Sequence, residues 1–255
     1  MTAALGLDAL LARKELFFDP KCAMRTDAAP PILIIDDFYD DPDAIRQLAL
    51  GLDYVSYVPP DPAIIGAELA ALNANRTGRW MSSALVAYHG QPAAKPFFGA
   101  RYNPEPLRLR LEEATGDAIS KRSWSSAGDH WNGAFHLVEA GYGVGDGYIH
   151  HHYKPGDLEK RGWSGIVYLS PDAPPTAGTS IWQSRRSGRC VAAFGEAYER
   201  DADTFELAFL AENRFNRAVL FRESVWHRLE HGFGQGLDAR LTQTLFFEVE
   251  PSSAN

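Results

Sequence analysis

Three consecutive histidines, His150, His151 and His152, have the residue type and spacing that could most directly do chemistry in this chain. They follow the apolar pair Tyr148-Ile149, and residues i and i+2 of an extended segment share a face. His150 and His152 could therefore converge on one point while His151 faces away. Two imidazoles on one face are part of a metal site, which needs a third ligand and an open side. The alternative is a histidine run at a solvated strand end.

The third ligand is best sought in the segment 216–242. Residues 217–221 predict a strand, and His227 follows it closely. His231 lies four residues later, in a more polar and glycine-rich stretch. We therefore prefer His227 over His231 as the third ligand.

Arg240 begins a predicted strand in which Thr242, Thr244 and Phe246 share its face. An arginine with a hydroxyl group two residues further on suits a carboxylate, because the guanidinium fork binds it in bidentate fashion and the hydroxyl adds a donor. Pairing of the arginine with a surface carboxylate is the commoner alternative.

The composition bounds the class of protein. The chain has 255 residues, of which 45% are hydrophobic and 23% are charged, as expected for one large β-rich domain or two small ones. The net charge of −8 argues against a general nucleic-acid binder. No apolar run approaches the ~18 residues of a membrane span. Cys22 and Cys190 lack CxxC spacing, which argues against a disulfide framework or zinc ribbon, and we expect a cytoplasmic protein.

The apolar periodicity predicts mostly β structure with flanking helices, an α+β chain. A single domain is expected, with a helical N-terminal support (1–128) and a β core (129–250). Short strands separated by glycine- and proline-bearing turns favour an antiparallel barrel or sandwich. The predicted helices are 4–13, 42–52, 104–115 and 203–212, and the predicted strands are 32–35, 84–88, 134–140, 148–152, 164–169, 179–182, 217–221 and 240–249.

In this order the residues resemble the Fe(II)/2-oxoglutarate-dependent oxygenases, in the prolyl-hydroxylase-like branch and its small uncharacterised bacterial members. That family carries His-x-Asp/Glu on one core strand, a distal histidine, and Arg-x-Ser/Thr further on. The corresponding elements here are His150-His151-His152, His227 and Arg240-Leu241-Thr242. Four further segments look similar: ILIIDDFYDDPDAIRQLAL (32–50), WSGIVYLSPDAP (163–174), GTSIW (178–182) and FNRAVLFRESVWH (215–227).

The resemblance implies a double-stranded β-helix of the jelly-roll or cupin-like type. It implies Fe(II) on His150, His152 and His227, with 2-oxoglutarate as co-substrate held by Arg240 and Thr242. The implied activity is O2-dependent hydroxylation of a small molecule or of an amino-acid or peptide side chain, without nucleic-acid or membrane partners. Aromatic candidates for the pocket lining are Tyr142, which we also assign to cofactor binding, Tyr148, Tyr153, Trp163 and Trp182.

One residue departs from the family pattern, because His152 stands where the family has a carboxylate. Asp157, in the following loop, is the alternative third ligand. Three alternative functions stay open: a three-histidine iron dioxygenase that does not use 2-oxoglutarate, a catalytically degenerate member that binds metal or ligand, and a cupin-like metal-binding protein. The basic segment 185–189 either contacts an acidic substrate or is a solvated loop.

Overall fold

A computed structural model describes ten stretches of the chain: residues 14–15, 32–56, 79–81, 87–88, 91–92, 101–125, 132–141, 149–152, 162–193 and 202–250. Within them lie three helices, α1 (Pro42–Leu50), α2 (Glu105–Thr115) and α3 (Lys121–Ser125). The strands before residue 130 are β1 (Lys14–Glu15), β2 (Ile32–Ile35), β3 (Val55–Ser56), β4 (Arg79–Met81), β5 (Ala87–Tyr88) and β6 (Gln91–Pro92). The later strands are β7 (Phe135–Val138), β8 (Gly162–Tyr168), β9 (Thr179–Ser184), β10 (Phe205–Ala211), β11 (Ala218–Arg222), β12 (His227–Leu229) and β13 (Arg240–Glu248).

Most of this part of the chain is antiparallel β structure in two principal sheets. The large sheet has eight strands in the order β1-β2-β11-β8-β13-β7-β4-β3, and the small sheet has the order β10-β9-β12. A two-stranded ribbon, β5-β6, stands apart from both sheets. Early strands and late strands therefore share one sheet, and β13, the last strand, pairs with both β7 and β8.

Both faces of the large sheet are buried, because its strands carry apolar side chains on each side. One face packs against the small sheet and carries Ile34, Val219 and Phe221, which share a core with Ile181 of β9. The opposite face packs against the helices, where Leu111 of α2 lies in one cluster with side chains of β8 and β13. We call the face toward the small sheet the inner face.

The helices begin and end at the residues that the sequence indicates. Pro42 opens α1, the Asp41 carboxylate accepts a hydrogen bond of 2.9 Å from the Ala44 N–H, and Ile45 and Ala49 are buried. Helix α2 ends at Gly116, whose φ of 72° suits glycine. The predicted helices 42–52 and 104–115 are thus confirmed, whereas 4–13 lies outside the described residues.

The predicted helix 203–212 is wrong, because Phe205–Ala211 forms strand β10. The spacing of its apolar residues is compatible with a helix and with a strand, and pairing with β9 makes the segment a strand. The register shifts between Leu207 and Phe209, and this irregularity hides the two-residue alternation. As an edge strand, β10 leaves Leu207 55% exposed.

Two expectations from the composition concern the cysteines and membrane-spanning segments. Cys190 is 4% exposed, and Cys22 lies outside the described residues, so the expectation about the cysteines stays a prediction. Within the stretches described above, no helix combines the length and apolarity that a membrane crossing requires.

An ion pair joins the end of β2 to the turn before β11. The Asp36 carboxylate accepts hydrogen bonds from Arg217 at 2.6 and 3.0 Å and from Arg214 at 3.0 Å. The hydrogen bond from Arg217 holds the pKa of Asp36 below its ordinary value, against the opposing effect of burial. The charged form of Asp36 is therefore favoured by folding.

We predict that Asp36→Asn lowers the free energy of unfolding by about 2 kcal/mol at neutral pH, since Arg217 loses its charged partner. The difference from the wild type is full above about pH 4 and disappears as the pH falls through the lowered pKa of Asp36. Urea denaturation at several pH values measures both effects. The control is Glu206→Gln in the exposed Arg185 pair, expected to cost under about 0.5 kcal/mol; equal losses would contradict the prediction.

Candidate metal centre

Two of the three candidate ligands meet through the backbone. The His150 N–H donates to the His227 carbonyl at 3.0 Å, and the His227 N–H donates to the His150 carbonyl at 2.9 Å. This is a hydrogen-bonded antiparallel pair, in which opposite side chains project to the same face. The two imidazole centroids accordingly lie 4.3 Å apart.

His152 completes the group from two residues further along the same segment. Its N–H donates to the Glu223 carbonyl at 2.7 Å. Its ring centroid lies 5.1 Å from that of His150 and 4.6 Å from that of His227. The potential ligand atoms of the three histidines all lie within 4.8 Å of one another, so together they could hold one metal ion. Among the residues that the structure describes, this is the one group of at least three His, Cys, Asp or Glu side chains that lies close enough together to hold a metal ion.

Hydrogen-bond partners lie beside Nδ1 in two of the three rings. Nδ1 of His227 lies 2.9 Å from the Val225 carbonyl oxygen. Because a carbonyl only accepts, this contact places the proton on Nδ1 and the lone pair on Nε2. Nδ1 of His152 lies 2.6 Å from Oγ of Ser164. An imidazole held by its far nitrogen is the usual arrangement of a metal-bound histidine.

The electrostatics keep His227 neutral. Burial lowers the pKa of His227 well below its ordinary value, and the neighbouring His150 and His152 lower it further. A neutral imidazole is the form that binds a metal ion.

Apolar rings surround the three histidines. The Phe221 ring lies 4.4 Å from that of His227, and the Phe246 ring lies 5.0 Å from that of His152. Phe246, Ser164 and Phe221 are directly opposite one another on β13, β8 and β11. They form one row across the inner face beside the histidines.

The other two histidines considered from sequence lie outside the group. His151 is 2% exposed, and its ring packs edge-on against Trp226 at 4.6 Å between centroids. It therefore faces away from the site, as the alternation of an extended segment predicts. His231 is half-buried and is not part of the group.

Arg240 is buried at the far end of the inner face and is only 1% exposed. Its Nε donates to the Ala177 carbonyl at 2.9 Å, and its guanidinium carbon lies 5.5 Å from the centre of the Tyr168 ring. The Tyr168 hydroxyl donates to Oγ1 of Thr179 at 2.8 Å. Burial raises the pKa of Tyr168, so the phenol stays protonated. Arg240 is thus not a surface residue, and it lies among hydrogen-bonding groups.

A polar band connects the two ends of the inner face. Thr242, 2% exposed, is paired with Tyr168, and Nε2 of His136 lies 3.3 Å from Oγ1 of Thr244. The row of Thr242 and Tyr168 lies four residues, about 13 Å, from the row of Phe246. Buried polar side chains cost free energy unless they find partners, and Thr244 finds them in His136 and the Ala134 carbonyl.

Two pocket candidates lie elsewhere. Trp163 is fully buried on the helix-covered face of the large sheet, where its Nε1 donates to Asp117 at 2.8 Å. Trp182 follows Ile181, the partner of His227, and so points to the opposite face, where Arg228 lies 4.6 Å above its ring. Both assignments are wrong, because each side chain points to the face of its strand that is turned away from the histidines.

Four candidates, Tyr142, Tyr148, Tyr153 and Asp157, lie outside the described residues. Arg185 in the basic segment is exposed and 3.4 Å from Glu206. Sequence reasoning missed Ser164, Tyr168, Phe221 and Phe246 as site residues. Ser164, Tyr168 and Phe221 lie within segments quoted above, and Phe246 lies on the predicted face of Arg240. Their places beside the site depend on cross-strand register, which the sequence does not specify.

No family model and no curated protein matches this chain. Solved structures do show similarity. AviO1 from Streptomyces viridochromogenes Tue57 is 12% identical, with a TM-score of 0.48 over 100% of this chain and 99% of that one. HygX from Streptomyces hygroscopicus with nickel, 2-oxoglutarate and hygromycin B is 16% identical, with a TM-score of 0.44 over 89% and 85%.

A prolyl 4-hydroxylase structure from Phytophthora capsici is 15% identical, with a TM-score of 0.39 over 88% of this chain. This chain spans 60% of the length of that one. HygX structures have also been determined with iron and with nickel and 2-oxoglutarate. Similarity at this level does not assign a function.

We predict that the apo-protein binds one Co²⁺ per chain and that His150→Ala, His152→Ala or His227→Ala weakens binding by more than about 100-fold, beyond what loss of an outer partner causes. His231→Ala is the matched control and should bind as the wild type does. Visible absorption of Co²⁺ during titration measures the affinity. Equal binding by His152→Ala and wild type would exclude His152 as a ligand.

Proposed function

We propose that this chain is a mononuclear non-heme iron oxygenase that uses 2-oxoglutarate and O2 to hydroxylate a small molecule or an amino-acid or peptide side chain. The observation that carries the proposal is the arrangement of the inner face. Three imidazoles converge at one end, and an arginine is buried at the other, with polar side chains between them.

The residues fit an iron ion by the chemistry of their donors. Imidazole nitrogen is a suitable ligand for Fe(II), and three such ligands on one side leave coordination positions for other molecules. His150, His152 and His227 would hold the ion. When bound, iron supplies the oxygen chemistry that no side chain can perform. The chain itself would orient the reactants and keep water out with Phe221 and Phe246.

The residues also fit a dicarboxylate co-substrate. Arg240 and Thr242 would hold its distal carboxylate through the guanidinium fork and the hydroxyl group. A five-carbon diacid with a metal–oxygen bond at one end and a hydrogen bond at the other spans about 10 Å. That length is comparable with the separation of about 13 Å between the row of Thr242 and the row of Phe246. Side chains that project from the two rows shorten the gap further.

The charge of the donor set strengthens the need for an anion. Three neutral imidazoles leave the full charge of a divalent ion uncompensated, whereas a set with one carboxylate would remove one unit. A co-substrate that binds the ion through a carboxylate would supply this compensation. We include in the proposal a single domain formed by 1–255, because early and late strands share the large sheet.

A second candidate is a three-histidine iron dioxygenase that does not use 2-oxoglutarate. It is favoured by His152, since the third ligand is an imidazole and not a carboxylate. The buried Arg240 favours the first candidate, because a guanidinium in the interior suits the distal carboxylate of 2-oxoglutarate.

We predict that anaerobic addition of 2-oxoglutarate to the Fe(II)-loaded protein produces a weak visible charge-transfer band at about 500 nm, as expected for an iron-bound keto acid. Succinate, which lacks the keto group, is the control and should produce no band. A metal-loaded protein without the band would favour the second candidate.

We predict that Arg240→Gln weakens 2-oxoglutarate binding to the metal-loaded protein by roughly 10- to 100-fold, because a bidentate charged contact is lost. Arg228→Gln is the control, since Arg228 lies on the outer side of the small sheet and pairs with Glu230 at 3.0 Å. Calorimetric titration measures both variants, with Co²⁺ binding checked in parallel. Unchanged affinity in Arg240→Gln would remove Arg240 from the co-substrate site.

A further inference from the structure

Ser164 contacts the histidine group without belonging to it. Its hydroxyl oxygen lies 2.6 Å from Nδ1 of His152, and its side chain is fully buried. On either side of it, Phe221 and Phe246 occupy the same row of the sheet. A hydroxyl group between two phenyl rings is a specific polar contact in an apolar wall, and it is aimed at one nitrogen of one histidine.

The contact matters because a neutral imidazole has two tautomers. The proton is on one nitrogen, and only the other nitrogen has a lone pair for a metal ion. A free neutral histidine prefers the proton on Nε2, which leaves that nitrogen unable to bind. An acceptor beside Nδ1 reverses the preference and also fixes the rotation of the ring.

His227 shows the same arrangement within this molecule. Its Nδ1 lies 2.9 Å from the Val225 carbonyl, which can only accept. The proton of His227 is therefore on Nδ1, and its Nε2 is free for coordination. Ser164 stands in the corresponding position to His152, with the difference that a hydroxyl group can both donate and accept.

We propose that Ser164 is a positioning residue that accepts the Nδ1 proton of His152 in a hydrogen bond and so directs the Nε2 lone pair of His152 to the metal ion. This would make an imidazole a competent third ligand at the place where the resembled family has a carboxylate. The proposal rests on the metal site of the proposed function, and it is independent of the co-substrate.

A Co²⁺ titration tests the energetic part. Ser164→Ala should weaken Co²⁺ binding by about 10- to 100-fold, the usual effect of losing such a partner. Ser164→Thr keeps the hydroxyl group and should recover most of the affinity. Ser180→Ala is the matched control, because Ser180 is equally buried but bonds to Trp182 and Arg228 at 2.6 and 3.3 Å. It should bind Co²⁺ as the wild type does.

Nitrogen-15 NMR of the histidine rings in the apo-protein tests the tautomer directly, which a merely structural role would not change. We expect the His152 proton on Nδ1 in the wild type and a shift toward Nε2 in Ser164→Ala. A wild-type proton on Nε2, or equal Co²⁺ affinity in the wild type and a folded Ser164→Ala, would overturn the proposal. If the wild type binds Co²⁺ but not 2-oxoglutarate, the proposed function fails while the role of Ser164 stands.

Discussion

One backbone contact determines whether this protein has a metal site. The reciprocal hydrogen bonds between His150 and His227 join two segments that are far apart in the sequence. They also set the phase of both segments, so that His150, His152 and His227 face inward while His151 and Trp226 face outward. A slip of one residue by either segment would turn the side chains of that segment to the other face and break up the group of three histidines.

The inner face around this pair has two kinds of side chain, aromatic at one end and polar at the other. Near the histidines the inner face is aromatic, and the rings of Phe221 and Phe246 lie against the imidazoles. Toward Arg240 it becomes polar, with Thr242, Thr244 and Tyr168 in the same interior. An apolar end suits a ligand set of neutral imidazoles, and a polar end suits an anion. The order of residues along β13, from Arg240 to Phe246, places both ends on one strand.

The sequence predicted the elements whose patterns are local. The two-residue spacing of His150 and His152 and the position of His227 after a strand were sufficient to select the residues that the structure brings together. It did not predict features that depend on pairing. The segment 203–212 has apolar residues at both periods, and only its partner β9 makes it a strand. The faces of Trp163 and Trp182 and the contact of Ser164 with His152 follow from register, which no single segment specifies.

The place of β13 in the large sheet has a consequence for biosynthesis. Among the described strands it is the last to leave the ribosome, yet it lies between β7 and β8 and not at an edge. Until it inserts, those two strands present open hydrogen-bonding edges that invite association with other nascent chains. A shortened chain that stops before residue 240 would lose the middle of its sheet.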